Sequence, residues 1–234
     1  SMATWMTGAG KSIDSRITGL SMSQSVSPVV VSFRPTTATI WPAAKHARIN
    51  AAGGQVRTMD DPFDPKFAAD VLASASAQAV RIQNDPWCIG YFVGNEENWG
   101  YFRAGPRSHY ALVFAAFKED ADGCPAKRAF IAQMQAAYGT VSKLNAAWGT
   151  SFTNWTALEA PVEFTEPCRE AQLADFSKLL AGFADQYFRV VRESLKKADP
   201  NHLYLGCRFA GYSPEVLEAA AKYTHVLSFN AYRL

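Results

Sequence analysis

At 234 residues, 48% hydrophobic and 19% charged, the chain is long enough to bury the core of one domain or of two small ones, and it reads as globular. Its 23 Lys and Arg nearly balance 21 Asp and Glu, and no basic cluster stands out, so neither nucleic acid nor an anionic membrane surface is expected as a partner. Residues 1–25, rich in Ser, Thr and Gly, contain no continuous apolar run, so neither the apolar core of a signal peptide nor a membrane-spanning helix is expected within them, and localisation stays open.

In chain order, residues 1–25 read as an irregular N-terminal segment and residues 26–234 as one α/β domain. Residues 28–33, PVVVSF, are a β-branched run closed by Arg34-Pro35, the pattern of a short buried strand. Residues 38–61 contain Pro, a Gly pair and little periodicity, and read as a loop. Asp64-Pro65 then supplies an N-cap followed by Pro at the first helical position. Phe67, Val71, Leu72, Ala75, Ala79 and Ile82 recur at helical spacing behind it, which predicts one amphipathic helix. Residues 88–96 begin CIGYFV, a run without polar alternation, as expected of a strand covered on both faces in a parallel sheet, and they end on Asn95 and Glu96.

A long excursion follows over residues 100–170. It holds a helix at 126–138 stopped by Gly139, then a short helix and turn at 140–160 that carry Trp148 and Trp155. Residues 171–198 form one long helix with Leu173, Phe176, Leu180, Phe183 and Tyr187 on a single stripe. A third strand at 202–209, a helix at 214–223 and a fourth strand at 225–232 complete the pattern.

Strands alternating with helices are the signature of a parallel sheet wound with crossover helices. Each strand also finishes on polar residues: Arg34, then Asn95 and Glu96, then Arg208, then Asn230 and Tyr232. In barrels of β/α units chemistry is placed at these C-terminal strand ends. Trp99, beside the acidic pair, offers an aromatic face on which a sugar can stack, whereas Trp148 and Trp155 read first as packing residues. Arg34 and Arg208 either hold substrate or pair with Glu96. The four histidines and four cysteines show no metal-ligand spacing, and neither a metal nor a cofactor is expected. Cys88 and Cys207 sit in apolar runs as core residues. Cys124 and Cys168 lie in turn-like sequence, where an exported protein has the option of a disulfide between them.

Four segments, DPFDPKFA, DPWCIGYFVGNEENWG, YGTVSKLNAAWGTSFTNW and VLSFNAY, together resemble the catalytic barrel of clan A glycoside hydrolases, near the family 42 β-galactosidases and family 50 β-agarases. The likeness covers roughly residues 25–234. It implies Glu96 as general acid/base, Asn95 as the hydrogen-bond partner of the sugar hydroxyl next to the reacting carbon, and Asn230 and Tyr232 beside the glycone. The implied substrate is a β-linked galactoside or a related polysaccharide. Residues 28–33, 88–96, 202–209 and 225–232 map to barrel strands three to six, so the expected fold is a partial (β/α)8 TIM-type barrel of about four parallel strands in that order.

In that clan the nucleophile stands at the end of strand seven, beyond this stretch. Glu97 is not expected to replace it, because neighbouring strand residues point to opposite faces. An open sheet leaves backbone edges and an apolar face bare, so self-association as a homodimer or higher oligomer is expected to cover them. Two other functions stay open. One is a carboxylesterase-type hydrolase using a strand-end serine, Ser32 or Ser228, although no G-x-S-x-G elbow is present. The other is a non-catalytic carbohydrate-binding or assembly role.

Overall fold

The structure, a computed structural model, describes residues 36–42, 47–50 and 58–231. The run at 28–33, with Ser32, Arg34 and Tyr232, lies outside those residues. The first described strand, β1 (Thr36–Ile40), overlaps the start of the 38–61 stretch expected to be a loop, and β2 (Arg48–Asn50) and β3 (Thr58–Asp60) fall inside it. The TTATI of β1 is rich in β-branched residues, which suit a pleated surface. Its threonines deny it the apolar continuity that marks the other strands. β2 and β3 pair antiparallel and are tied by an Arg48 Nε to Asp60 Oδ1 ion pair of 2.8 Å. Strands of three residues carry no readable period; tertiary pairing creates them.

Helix α1 (Pro65–Ile82) starts as its sequence requires, with Asp64 accepting the Lys66 backbone N–H at 2.9 Å and Pro65 in the first turn. It leads into β4 (Cys88–Val93), which lies parallel to β1. The excursion folds as α2 (Pro106–His109), α3 (Ala111–Lys118), α4 (Pro125–Tyr138) and α5 (Val141–Trp148). Then α6 (Glu170–Ala198) runs back along α1, and β5 (Leu203–Tyr204) and α7 (Pro214–Tyr223) follow. The parallel order is β1-β4-β5, and a bridge between Phe209 and Phe229 adds one further parallel step.

The expected strands at 202–209 and 225–232 are therefore shortened to two residues and a single bridge. Gly206 at φ 83° and Arg208 at φ 51° swing the chain out of the extended region. Backbone bonds to β4 still continue, from Leu205 N to Tyr91 O at 2.8 Å and from Val93 N to Gly206 O at 3.0 Å.

Strand alternation sorts the sheet into two faces. Ala38 and Ile40 of β1, with Tyr91 and Val93 of β4, join the buried cluster under α1 and α6, while their neighbours Thr39 and Phe92, paired in register, turn to the other side. The excursion adds Phe114, Phe117, Phe130, Trp148 and Phe164 to the same core, packed against Phe176 of α6 and one another. Its LNAAWGT segment is structural throughout. Asn145 clamps the next turn, accepting from Thr150 and Phe152 and donating to the Phe152 carbonyl at 2.8 Å. Trp148 is buried and donates Nε1 to Asp175 at 2.9 Å. All four cysteines are free. Cys124 faces Asp61 and burial pushes its thiol up to about 12, while Cys168 faces the Thr165 carbonyl, so the two are not joined.

Behind the sheet, at its N-terminal edge, Asp199 accepts from the Tyr91 hydroxyl at 2.6 Å, His202 Nδ1 at 2.7 Å and the Asn201 N–H at 3.0 Å. Burial alone would raise the carboxyl; these donors outweigh it and hold it below its ordinary value. A depressed carboxylate contributes stability that is present above the unfolded pKa, about 4, and is lost as pH falls through the lower folded value. Urea denaturation over pH 2 to 7 is expected to show that acid loss, and Asp199→Asn is expected to cost about 1–3 kcal/mol at pH 7 and to flatten the acid limb. A variant as stable and as pH-sensitive as wild type would refute the assignment.

Candidate active site

β4 stops at Val93 and the chain turns sharply, with Gly94 at φ 71° and Glu96 at φ 56°. The positive φ favours glycine at Gly94, and a Cβ there would also displace the Glu97 carboxylate, whose Oε1 would lie 2.1 Å away. Glu96 holds a left-handed conformation that a glutamate rarely adopts, fixed by its N–H bonding the Cys207 and Arg208 carbonyls at 3.1 and 3.2 Å. The turn cancels strand alternation. Asn95, Glu96 and Glu97 consequently all line one open cavity of about 370 Å³, which corrects the expectation that Glu97 faces away. The opposite wall comes from segments the sequence reading passed over: Trp41 just after β1, and the Arg48–Asp60 pair of the β2–β3 hairpin.

Asn230, expected to bind substrate, reaches the site's own residues. Its Nδ2 donates to Glu96 Oε1 at 2.6 Å and to Asn95 Oδ1 at 3.4 Å. Arg208 likewise turns to protein, donating to Asn95 Oδ1 at 3.3 Å and Thr39 Oγ1 at 3.0 Å, with its guanidinium 3.9 Å over the Phe92 ring. Burial lowers its pKa, yet a guanidinium remains charged.

Trp99 is not a sugar platform. It is 1% exposed, stacked on Phe188 and edge-on to Tyr187, because the chain beyond the turn dives back beneath α6. Among the described residues, the aromatic that stands at the cavity is Trp41, 61% exposed. Only the type of residue, Trp before Pro42, offered a signal for it. Ser228 is buried with its hydroxyl donating to the Leu205 carbonyl at 2.8 Å and meeting the Arg208 N–H at 3.3 Å, so it stitches two strands together.

Comparison with known proteins matches the chain to a family. The family 42 glycoside hydrolase model, described as β-galactosidase, matches residues 64–233. β-Agarase B of Vibrio sp. (strain JT0107) is 36% identical over 195 residues, which cover 82% of this chain and 20% of that protein. The crystal structure of an agarase, AgWH50C, superposes with a TM-score of 0.79 at 37% identity, over 85% of this chain and 28% of that one. At 16% identity a β-galactosidase from Halorubrum lacusprofundi shares the fold, with a TM-score of 0.53 over 80% of this chain and 27% of that one. The chain thus spans about a fifth of the curated relative. With most of its length matched by the family model and its parallel sheet shared with barrel glycosidases, the chain belongs to the β-galactosidase family of clan A glycoside hydrolases.

Proposed function

We propose that this chain carries the acid/base half of a glycosidase site for β-linked galactosides of the agar type. The observation that supports it best is the strained turn that sets Glu96 on the cavity with its carboxylate held by Asn230. In this reading Glu96 protonates the glycosidic oxygen as its bond to the sugar breaks, Asn95 binds the adjacent hydroxyl, and Trp41 stacks on the sugar face. Hydrolysis also needs a second carboxyl group, about 5–5.5 Å from the acid in retaining enzymes and 6.5–9.5 Å in inverting ones. Among the described residues, Asp60 and Glu97 are the other carboxylates lining the cavity.

The reading is tested by assaying the chain on agaro-oligosaccharides and nitrophenyl β-galactoside beside nitrophenyl acetate. Glycoside turnover that requires Glu96 supports it; ester turnover alone points to serine chemistry; binding without turnover leaves a carbohydrate-binding module.

The partial-barrel reading adds that Val226, Leu227 and Phe229, each more than a third exposed along the far strand, are covered by a second copy of the chain. Sedimentation at micromolar concentration is expected to give a dimer, and a monodisperse monomer would remove that proposal.

A further inference from the structure

Arg208 and Asn230 stand at strand ends facing the candidate site, where a substrate-binding role is the first expectation. Their hydrogen bonds describe something else. Arg208 can only donate, so the Asn95 atom that faces it must be the carbonyl oxygen, and the amide orientation follows from chemistry. Asn230 donates to the same oxygen. With Oδ1 held from both sides, the Asn95 amide N–H2 is turned the other way, towards the cavity that Asn95 lines.

The anchoring reaches further back. Arg208 is fixed by Thr39 of β1 and by the Phe92 ring of β4, both on the sheet face opposite the helices. Three neighbouring chain segments therefore meet in one guanidinium. Asn230, from the bridge that closes the parallel order, spends its second amide hydrogen on Glu96 Oε1 at 2.6 Å.

We propose that Arg208 and Asn230 are positioning residues: Arg208 presents Asn95 to the cavity as a hydrogen-bond donor, and Asn230 ties Glu96 Oε1 so that proton exchange is directed to Oε2. The inference rests on the acid/base reading of Glu96. A carboxyl oxygen that accepts a short N–H bond is the poorer site for a proton, since protonation weakens the charge that the bond stabilises. A substrate hydroxyl next to the reacting carbon must then act as acceptor towards Asn95. The chemical consequence is a preference for sugars with an oxygen at that position over deoxy analogues.

Charged neighbours also act on Glu96: Glu97 on the same turn, Arg208 beside Asn95, and Arg48 and Asp60 across the cavity. The decisive variant must leave them unchanged. Asn230→Ala does so, because it removes a donor and no charge. In full-length protein labelled with 13C at glutamate, the Glu96 carboxyl titration is expected to move up by about one pH unit in Asn230→Ala, with thermal stability close to wild type. Arg208→Lys keeps the charge but cannot span Asn95 and Thr39 in the same fork. The Asn95 side-chain amide, held through Oδ1, is expected to show a rigid 15N order parameter in wild type and a clearly lower one in Arg208→Lys, as in Arg208→Met.

An unchanged Glu96 titration in Asn230→Ala, or an Asn95 side-chain order parameter that stays at the wild-type value in Arg208→Lys, overturns the proposal. These readouts need no turnover. If Glu96→Gln leaves hydrolysis intact, the acid/base reading fails while the titration still reports whether the two residues hold the site.

Discussion

Glu96→Gln is expected to lower hydrolysis of agaro-oligosaccharides by 10²- to 10⁴-fold, the range that a positioned general acid contributes. The substitution keeps the shape of the side chain and removes the transferable proton, so binding is expected to persist within a few-fold. Nitrophenyl β-galactoside supplies the internal control, because nitrophenolate leaves without protonation, and its cleavage is expected to fall far less. Equal losses on both substrates would mean that Glu96 acts on something other than the leaving group. Unaltered rates on both would end the assignment.

The largest expected effect on stability lies at Gly90, in the middle of β4. A Cβ there would lie 2.2 Å from the Leu203 carbonyl oxygen and 2.9 Å from the Leu203 nitrogen, both backbone atoms of the paired strand β5. Backbone cannot swing aside as a side chain can, and β5 has only two residues with which to hold its pairing. Gly90→Val is therefore expected to cost more than about 3 kcal/mol in urea denaturation. Gly139→Ala is the comparison: it sits at φ 70° at the end of α4 with nothing near its absent Cβ, and is expected to cost about 1 kcal/mol. If the two variants are equally stable, β4 and β5 are not in close register.

The helices were legible because their signals are local. Asp64-Pro65 before α1, Gly139 after α4 and the stripe of α6 each act within a few residues, and the structure places all three helices where those signals lie. The sheet was legible only where it is apolar, so β4 was found while residues 38–40 of the threonine-rich β1 were read as loop. The same limit governs the cavity. Asn95 and Glu96 stood out through their place at a strand end, whereas Trp41, Arg48 and Asp60 reach the site only by the folding of a segment with no period to read. Glu97 was misplaced because strand alternation was carried through residue 97 although two positive φ angles had already ended it, and Trp99 because nearness to the acidic pair in sequence does not keep it at the cavity once the chain turns under α6.

The positive φ at Glu96, with the matching one at Arg208, sets selection for activity against selection for stability at two adjoining positions. A glutamate and an arginine in the left-handed region each cost on the order of 1 kcal/mol that glycine would recover, and their carbonyl and amide groups are bonded to one another, so the cost is borne at a single junction. Random mutation scored for folding alone should therefore enrich glycine or asparagine at 96 and 208, whereas scoring for sugar turnover should retain the costly pair. A lineage of this chain that had lost its substrate would be identifiable by relaxation at these two positions, before any change appeared in the surrounding core.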